Sequence, residues 1–235
     1  MSSSEHLSKQ YDADLDALRS RVLQMGGLVE SQILAAIEGF ATGNPELLEQ
    51  VIVTESRVNG LEVSIDTDCS HIIVRRQPAA SDLRMIMAVS KTVTDLERIG
   101  DEAEKIARMS QRIYGRERLQ IQRFAAVRHA GNIAVQMLRQ ALDAFARLDA
   151  AQAATVVRQD LAIDDEFHSI VRQLITYMME DPRTITTALE IVWIAKAVER
   201  IGDHAKNIAE YVVFIVKGTD VRHTTFEDRE RTESS

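Results

Sequence analysis

The chain has 235 residues, 45% of them hydrophobic, and its 36 acidic residues outnumber 28 basic ones to leave a net charge of −8. That length supports one large or two small domains around a substantial core. The acidic balance argues against nucleic acid as the main partner, because phosphate-backbone binding relies on clustered Lys and Arg. Aromatic residues make up only 5%, which suits helices better than strands. A lone cysteine, Cys69, excludes an internal disulfide and agrees with a reducing compartment. The N-terminal segment is polar and acidic, unlike a signal peptide, and no apolar run approaches the length of a spanning helix. A cytoplasmic protein is expected.

Apolar residues recur at steps of three and four almost throughout, as the buried stripe of a helix requires. The first stripe is Leu7, Tyr11, Leu15, Leu18, Val22, Met25, Val29, Ile33, Ile37 and Phe40. Gly43, Asn44 and Pro45 then read as helix end, N-cap and first helical position. Pro78 ends a second helix, and Ser81 or Asp82 is placed to begin a third. The third stripe runs through Leu83, Ile86, Val93, Leu96, Ala103 and Ile106. Gly115 and Gly218 are read as closing long helices, and Asp181 with Pro182 as opening the last one. Six helices follow, over 6–42, 45–76, 81–114, 119–148, 150–180 and 182–217. A polar tail, 218–235, is expected to fray.

The chain repeats itself. ERIGDEAEKIA at 97–107 returns as ERIGDHAKNIA at 199–209, an offset of 102. AIEGFA at 36–41 matches ALDAFA at 141–146, and Gly26 matches Gly131, both at offset 105. The three-residue difference falls in a turn, where length changes are tolerated best. The fold class expected is therefore all-α, two tandem antiparallel three-helix bundles, with units over 1–116 and 117–217.

Glu97/Asp101 and Glu199/Asp203 each place two carboxylates on one helix face, one turn apart. Asp160/Asp164 forms another such pair, and its first-half counterpart is Glu55/Asn59. Packing of the second and third helices of each unit can bring these pairs face to face, which suits a hard divalent ion. Random placement of the acidic residues would produce about five such pairs, and the chain has five. Their number thus carries nothing, while recurrence at equivalent positions around Gly100 and Gly202 does. Spacing leaves three readings open: a metal site, a solvated polar face, or salt bridges to Arg98 and Arg200. The two glycines read first as close approaches of a neighbouring helix, and His204 as an edge histidine rather than a ligand. Arg75 and Arg76, with Arg84 beyond, read as helix-end cations. Catalytic templates are missing: there is no phosphate loop, no zinc-type Cys/His spacing and no nucleophile elbow.

Over residues 5–224 the chain resembles the PhoU family, accessory and regulatory proteins of bacterial phosphate-specific transport. The resemblance rests on QMGGLVE at 24–30, RRQPAASDLRMIMAVSKTVTDLERIGD at 75–101, VRQLITYMMEDPRTI at 171–185 and KAVERIGDHAKNIAEYV at 196–212. It implies metal binding through Glu97, Asp101, Asp160, Asp164, Glu199 and Asp203, together with Glu55, whose partner position holds Asn59 instead of Asp. The ions implied are divalent or iron-type: Mg²⁺, Mn²⁺, Fe²⁺ or Zn²⁺. The second-unit site is expected to be the better of the two. No catalysis is implied; the family's role resembles that of an adaptor between the ATPase subunit of a phosphate ABC transporter and a phosphate sensor histidine kinase. That role represses the phosphate-starvation response and places a cytoplasmic homodimer at the inner membrane through its partners. A carboxylate-bridged metalloenzyme and a metal-free helical scaffold are the competing readings.

Overall fold

The computed structural model describes residues 3–116 and 125–218, with side chains from Tyr11 onward. Six α-helices account for these residues: α1 Ser3–Thr42, α2 Pro45–Arg76, α3 Ala80–Arg116, α4 Ala125–Arg147, α5 Ala150–Glu180 and α6 Ile185–Lys217. No strand occurs among them. Two antiparallel three-helix bundles result, α1–α3 and α4–α6, as the repeat requires. The expected start of the fourth helix at 119 and the polar tail after Gly218 lie outside the described residues.

Turn chemistry explains most boundaries. Gly43 adopts a left-handed φ of 68°, and the Asn44 side chain accepts from the amides of Glu46 and Leu47 at 2.9 and 3.2 Å. Those bonds satisfy two of the donors that a helix start leaves bare. Leu148 and Asp149 do the same work at the equivalent turn, although Leu148 holds a φ of 53° without being glycine. Asp181 and Pro182 depart from expectation. They open a 3₁₀ turn, Pro182–Thr184, closed by Thr184 N–H donating to Asp181 O at 3.0 Å, and the α-helix begins only at Ile185. Gly115 does not terminate α3, which runs one residue further.

The apolar stripes form one continuous core. Val22, Met25, Val29, Ile33 and Phe40 of α1, Val93, Leu96, Ala103 and Ile106 of α3, and Val198, Ile201, Ala205 and Ile208 of α6 are all buried. Burial of each large aliphatic side chain contributes about 2 kcal/mol. Leu83, read as part of the third stripe, is instead exposed, because α3 has only just begun there.

The units meet along α1–α4 and α3–α6. A Cβ on Gly26 would lie 2.6 Å from Leu142 of α4, and one on Gly131 would lie 2.8 Å from Ile37 of α1. The offset of 105 maps Gly26 to Gly131 and Ile37 to Leu142, so each unit inserts the same knob into the other's glycine. The α3–α6 seam runs antiparallel. Asp95 of α3 is buried and accepts from His204 (2.7 Å), Asn207 (3.2 Å) and Tyr211 (2.8 Å) of α6. Further along, Arg200 donates to Glu102 at 2.9 Å and Arg116 to Glu190 at 2.9 Å. Arg200 thus serves the seam rather than the acidic pair beside it. His204 is partly buried against Asp95, so the edge position expected for it is a contact between units.

Candidate metal centre

In the first unit, α2 and α3 bring Glu55 over Gly100, between Glu97 and Asp101. Glu55 is only 5% exposed, and its Oε2 would sit 2.6 Å from a Cβ on Gly100. The missing side chain therefore makes room for a carboxylate. Gln32 of α1 donates to Glu55 Oε2 at 2.7 Å and to Val51 O at 3.1 Å. Glu55 Oε1 and Gln32 Oε1 have no hydrogen-bond partner among the described residues. Burial pushes the Glu55 carboxyl up to about 7; the Gln32 hydrogen bond opposes this, and the charges of Asp101, Glu104 and Glu97 reinforce it. Glu97 and Asp101 are also held above the ordinary carboxylate range, first by burial and then by neighbouring carboxylates. Asn59 is exposed.

In the second unit the same backbone carries a different set. Asp160 is one methylene shorter than Glu55, and the space over Gly202 is taken by Ile163, whose Cδ1 would lie 2.9 Å from a Cβ there. Gln32 is replaced by Met137, also beside Gly202. Asp160 and Glu199 are both buried, and each has one oxygen, Oδ1 and Oε2, without a partner. Asp203 is raised by burial, then by the charges of Glu199, Asp160 and Asp164, against the opposing charge of Lys206. Asp164 is raised by burial and by Asp160 and Glu199. Two ammonium groups enter this cluster. Lys206 Nζ donates to Asp160 Oδ2, and Lys196 Nζ donates to Glu199 Oε1 at 2.5 Å. Burial lowers the Lys206 pKa, but the hydrogen bond and charge of Asp160, with Glu210 and Asp203, raise it overall.

Each unit thus gathers its expected acidic residues into one neighbourhood. The donor chemistry of the first cluster fits a hard divalent cation: oxygen only, mutually repelling, with buried unpartnered oxygens. The second cluster also keeps unpartnered oxygens, but two ammonium groups already offset part of its charge. Among the described residues, however, no three His, Cys, Asp or Glu side chains already converge on a common point. A cation would have to draw them together. Sequence reading missed Gln32, Glu104, Lys196 and Lys206, because pairing like residues across the repeat hides the positions where the repeats differ. Setting α3 directly against α6 exposes Glu104, Lys196 and Lys206: the offset of 102 makes Glu104 the equivalent of Lys206 and Thr94 that of Lys196. Gln32 appears only when α1 is set against α4, where its equivalent is Met137. Asp95 was missed for the same reason, its counterpart being Ala197.

The comparisons with known proteins agree with this architecture. The PhoU domain model matches residues 22–110 and again 127–212. A phosphate-specific transport system accessory protein PhoU homolog from Burkholderia sp is 50% identical over 93% of this chain and 94% of its own length. The Escherichia coli K12 phosphate-specific transport system accessory protein PhoU is 43% identical, over 93% of this chain and 90% of that one. The crystal structure of PhoU from Pseudomonas aeruginosa superposes with a TM-score of 0.86 at 46% identity, covering 89% of this chain and all of that one (100%). The Streptococcus pneumoniae phosphate transport system regulatory protein PhoU gives a TM-score of 0.82 at 25% identity, covering 90% of this chain and 99% of that one. With both halves matched and the repeat, helix order and knob-into-glycine packing accounted for, the chain belongs to the PhoU family.

Proposed function

We propose that this chain is a non-enzymatic regulatory adaptor of phosphate homeostasis. It would link a high-affinity phosphate ABC transporter, through its ATPase subunit, to a phosphate sensor histidine kinase, repressing the starvation response and restraining uptake when phosphate is plentiful. The observation that carries the reading is near-complete coverage of relatives named as accessory proteins of the phosphate-specific transport system. Among the described residues no helix is long and apolar enough to cross a membrane, so the protein would reach the inner membrane through those partners, as a homo-oligomer.

In the same reading divalent or iron-type metal ions bind through the acidic clusters, with Glu55, Glu97 and Asp101 of the first unit and Asp160, Asp164, Glu199 and Asp203 of the second as the candidate ligands. The unpartnered buried oxygens and the mutual repulsion of the carboxylates support this part. A bound cation would supply positive charge that fixes α2 against α3, and α5 against α6. The residues themselves position oxygens and set the charge that the cation must balance.

Deletion of the gene tests the regulatory role. Alkaline phosphatase should be expressed in phosphate-rich medium in the deletion strain and repressed again on complementation. Undisturbed repression would overturn the reading. Pull-down from the same strain should recover the transporter ATPase and the sensor kinase.

A further inference from the structure

We infer that the two repeats are balanced by different cations: Lys206 is the resident cation of the second unit, and the first unit, with Glu104 in its place, is the divalent-cation site. The inference rests on the metal-binding reading above and assigns it unequally. It reverses the order that Asn59 alone suggests.

The two units are copies of one backbone that differ in the charges they carry at equivalent positions. On α6, Lys206 reaches back to Asp160 Oδ2 on α5, and Lys196 covers Glu199. Four carboxylates, Asp160, Asp164, Glu199 and Asp203, therefore share two ammonium groups, the half-buried Lys206 and Lys196, whose side chain is 38% exposed. The lysine closest to the cluster, Lys206, is only 29% exposed in its side chain and its partner Asp160 only 9%. A partly buried pair of this kind resists screening by salt and leaves less charge for a second cation to balance. In the first unit the equivalent of Lys206 is Glu104 and the equivalent of Lys196 is Thr94. Thr94 donates to Glu62 at 3.1 Å and brings no charge. Glu104 adds a fourth carboxylate to Glu55, Glu97 and Asp101. Its own cationic neighbour, Arg108, engages Oε1 at 2.6 Å from a side chain that is 54% exposed, the type of pair that contributes little.

Shape points the same way. Glu55 is 95% buried by its 5% exposure and has an unpartnered Oε1 within this carboxylate cluster. Gln32 Oε1, also buried and unpartnered, lies 3.3 Å from the position a Cβ on Gly100 would take. A buried neutral oxygen beside a buried carboxylate suits a hard cation, which accepts both kinds of donor. The second unit puts Met137 and Ile163 where these groups stand. An oxygen-seeking ion gains nothing from either.

Mn²⁺ binding to the full chain, measured by equilibrium dialysis with elemental analysis after chelator treatment, tests this. With Lys206 retained, Glu55→Gln should weaken Mn²⁺ binding at least tenfold, whereas Asp203→Asn should change it less than twofold. Lys206→Gln should add a second set of bound Mn²⁺, and Asp203→Asn in that background should remove it. The reciprocal Glu104→Lys should empty the first unit. Lys206→Met, which keeps the aliphatic stem, repeats the test should Lys206→Gln lower the thermal midpoint followed by circular dichroism. Equal stoichiometry in the unchanged chain and both Lys206 variants would overturn the inference, as would a larger loss from Asp203→Asn than from Glu55→Gln. An absence of Mn²⁺ from every variant would refute the metal-binding reading itself.

Discussion

Replacing Glu55 by Gln isolates the electrostatic cost of the first cluster. The folded carboxyl titrates at about 7, against an ordinary value of 4.5, so the folded state holds a proton that the unfolded chain has already released. Stability from this group is therefore complete below about pH 4.5, declines as pH rises through the interval, and is fully lost above about 7. The gap corresponds to about 3 kcal/mol. Glu97 and Asp101 are raised in the same direction and steepen the decline. Gln has the shape of the protonated acid and carries no charge. In urea unfolding with excess EDTA, Glu55→Gln should lie within about 1 kcal/mol of the unchanged chain at pH 5 and exceed it by about 3 kcal/mol at pH 8. A difference that is the same at both pH values would refute the reasoning, since it would come from packing and not from ionisation.

Three further outcomes follow from the fold. Asp95→Ala strips His204, Asn207 and Tyr211 of their common acceptor and should cost about 2–4 kcal/mol in urea unfolding, with loss of cooperativity between the units. Gly131→Val drives a side chain into Ile37, already 2.8 Å from the first added carbon, and should lower stability by about 2 kcal/mol or more on thermal melting. Asn44→Ala removes the two bonds that begin α2 and should cost about 1 kcal/mol, read from the urea midpoint.

Helix order was legible because each helix is long enough for its period to stand clear of noise, and because Gly43, Asn44 and Pro45 each act locally. The turn at Leu148 and Asp149 was less so. It uses the same backbone with a leucine where the sequence rule looks for glycine, and the turn is closed by Asp149 N–H donating to Ala144 O at 2.9 Å. At Pro182 the sequence names a start correctly but cannot say that the first turn winds with i to i+3 bonds. The acidic pairs were visible as repeats. What surrounds them was not, because Gln32 and Lys206 reach their carboxylates from helices distant in sequence, by 23 and 46 residues. Exposure of Leu83 reflects the same limit: periodicity finds a face but does not report how far along the helix that face is covered.

The reciprocal seating of Leu142 on Gly26 and Ile37 on Gly131 makes the seam between units resemble that of a two-fold dimer. In a true homodimer every change at such a seam is written on both sides at once. Joining the two units in one chain lifts that restriction. Asp95 has Ala197 as its equivalent, and its partners His204 and Tyr211 are matched by Glu102 and Met109. The hydrogen-bonded cluster therefore exists once, on one side of the axis, and gives the seam a direction. Two copies of the first half would bury two Asp95 carboxylates without His204 and Tyr211, and two copies of the second would have the donors without the acid, so the covalent link is what lets this assembly have a distinguishable left and right.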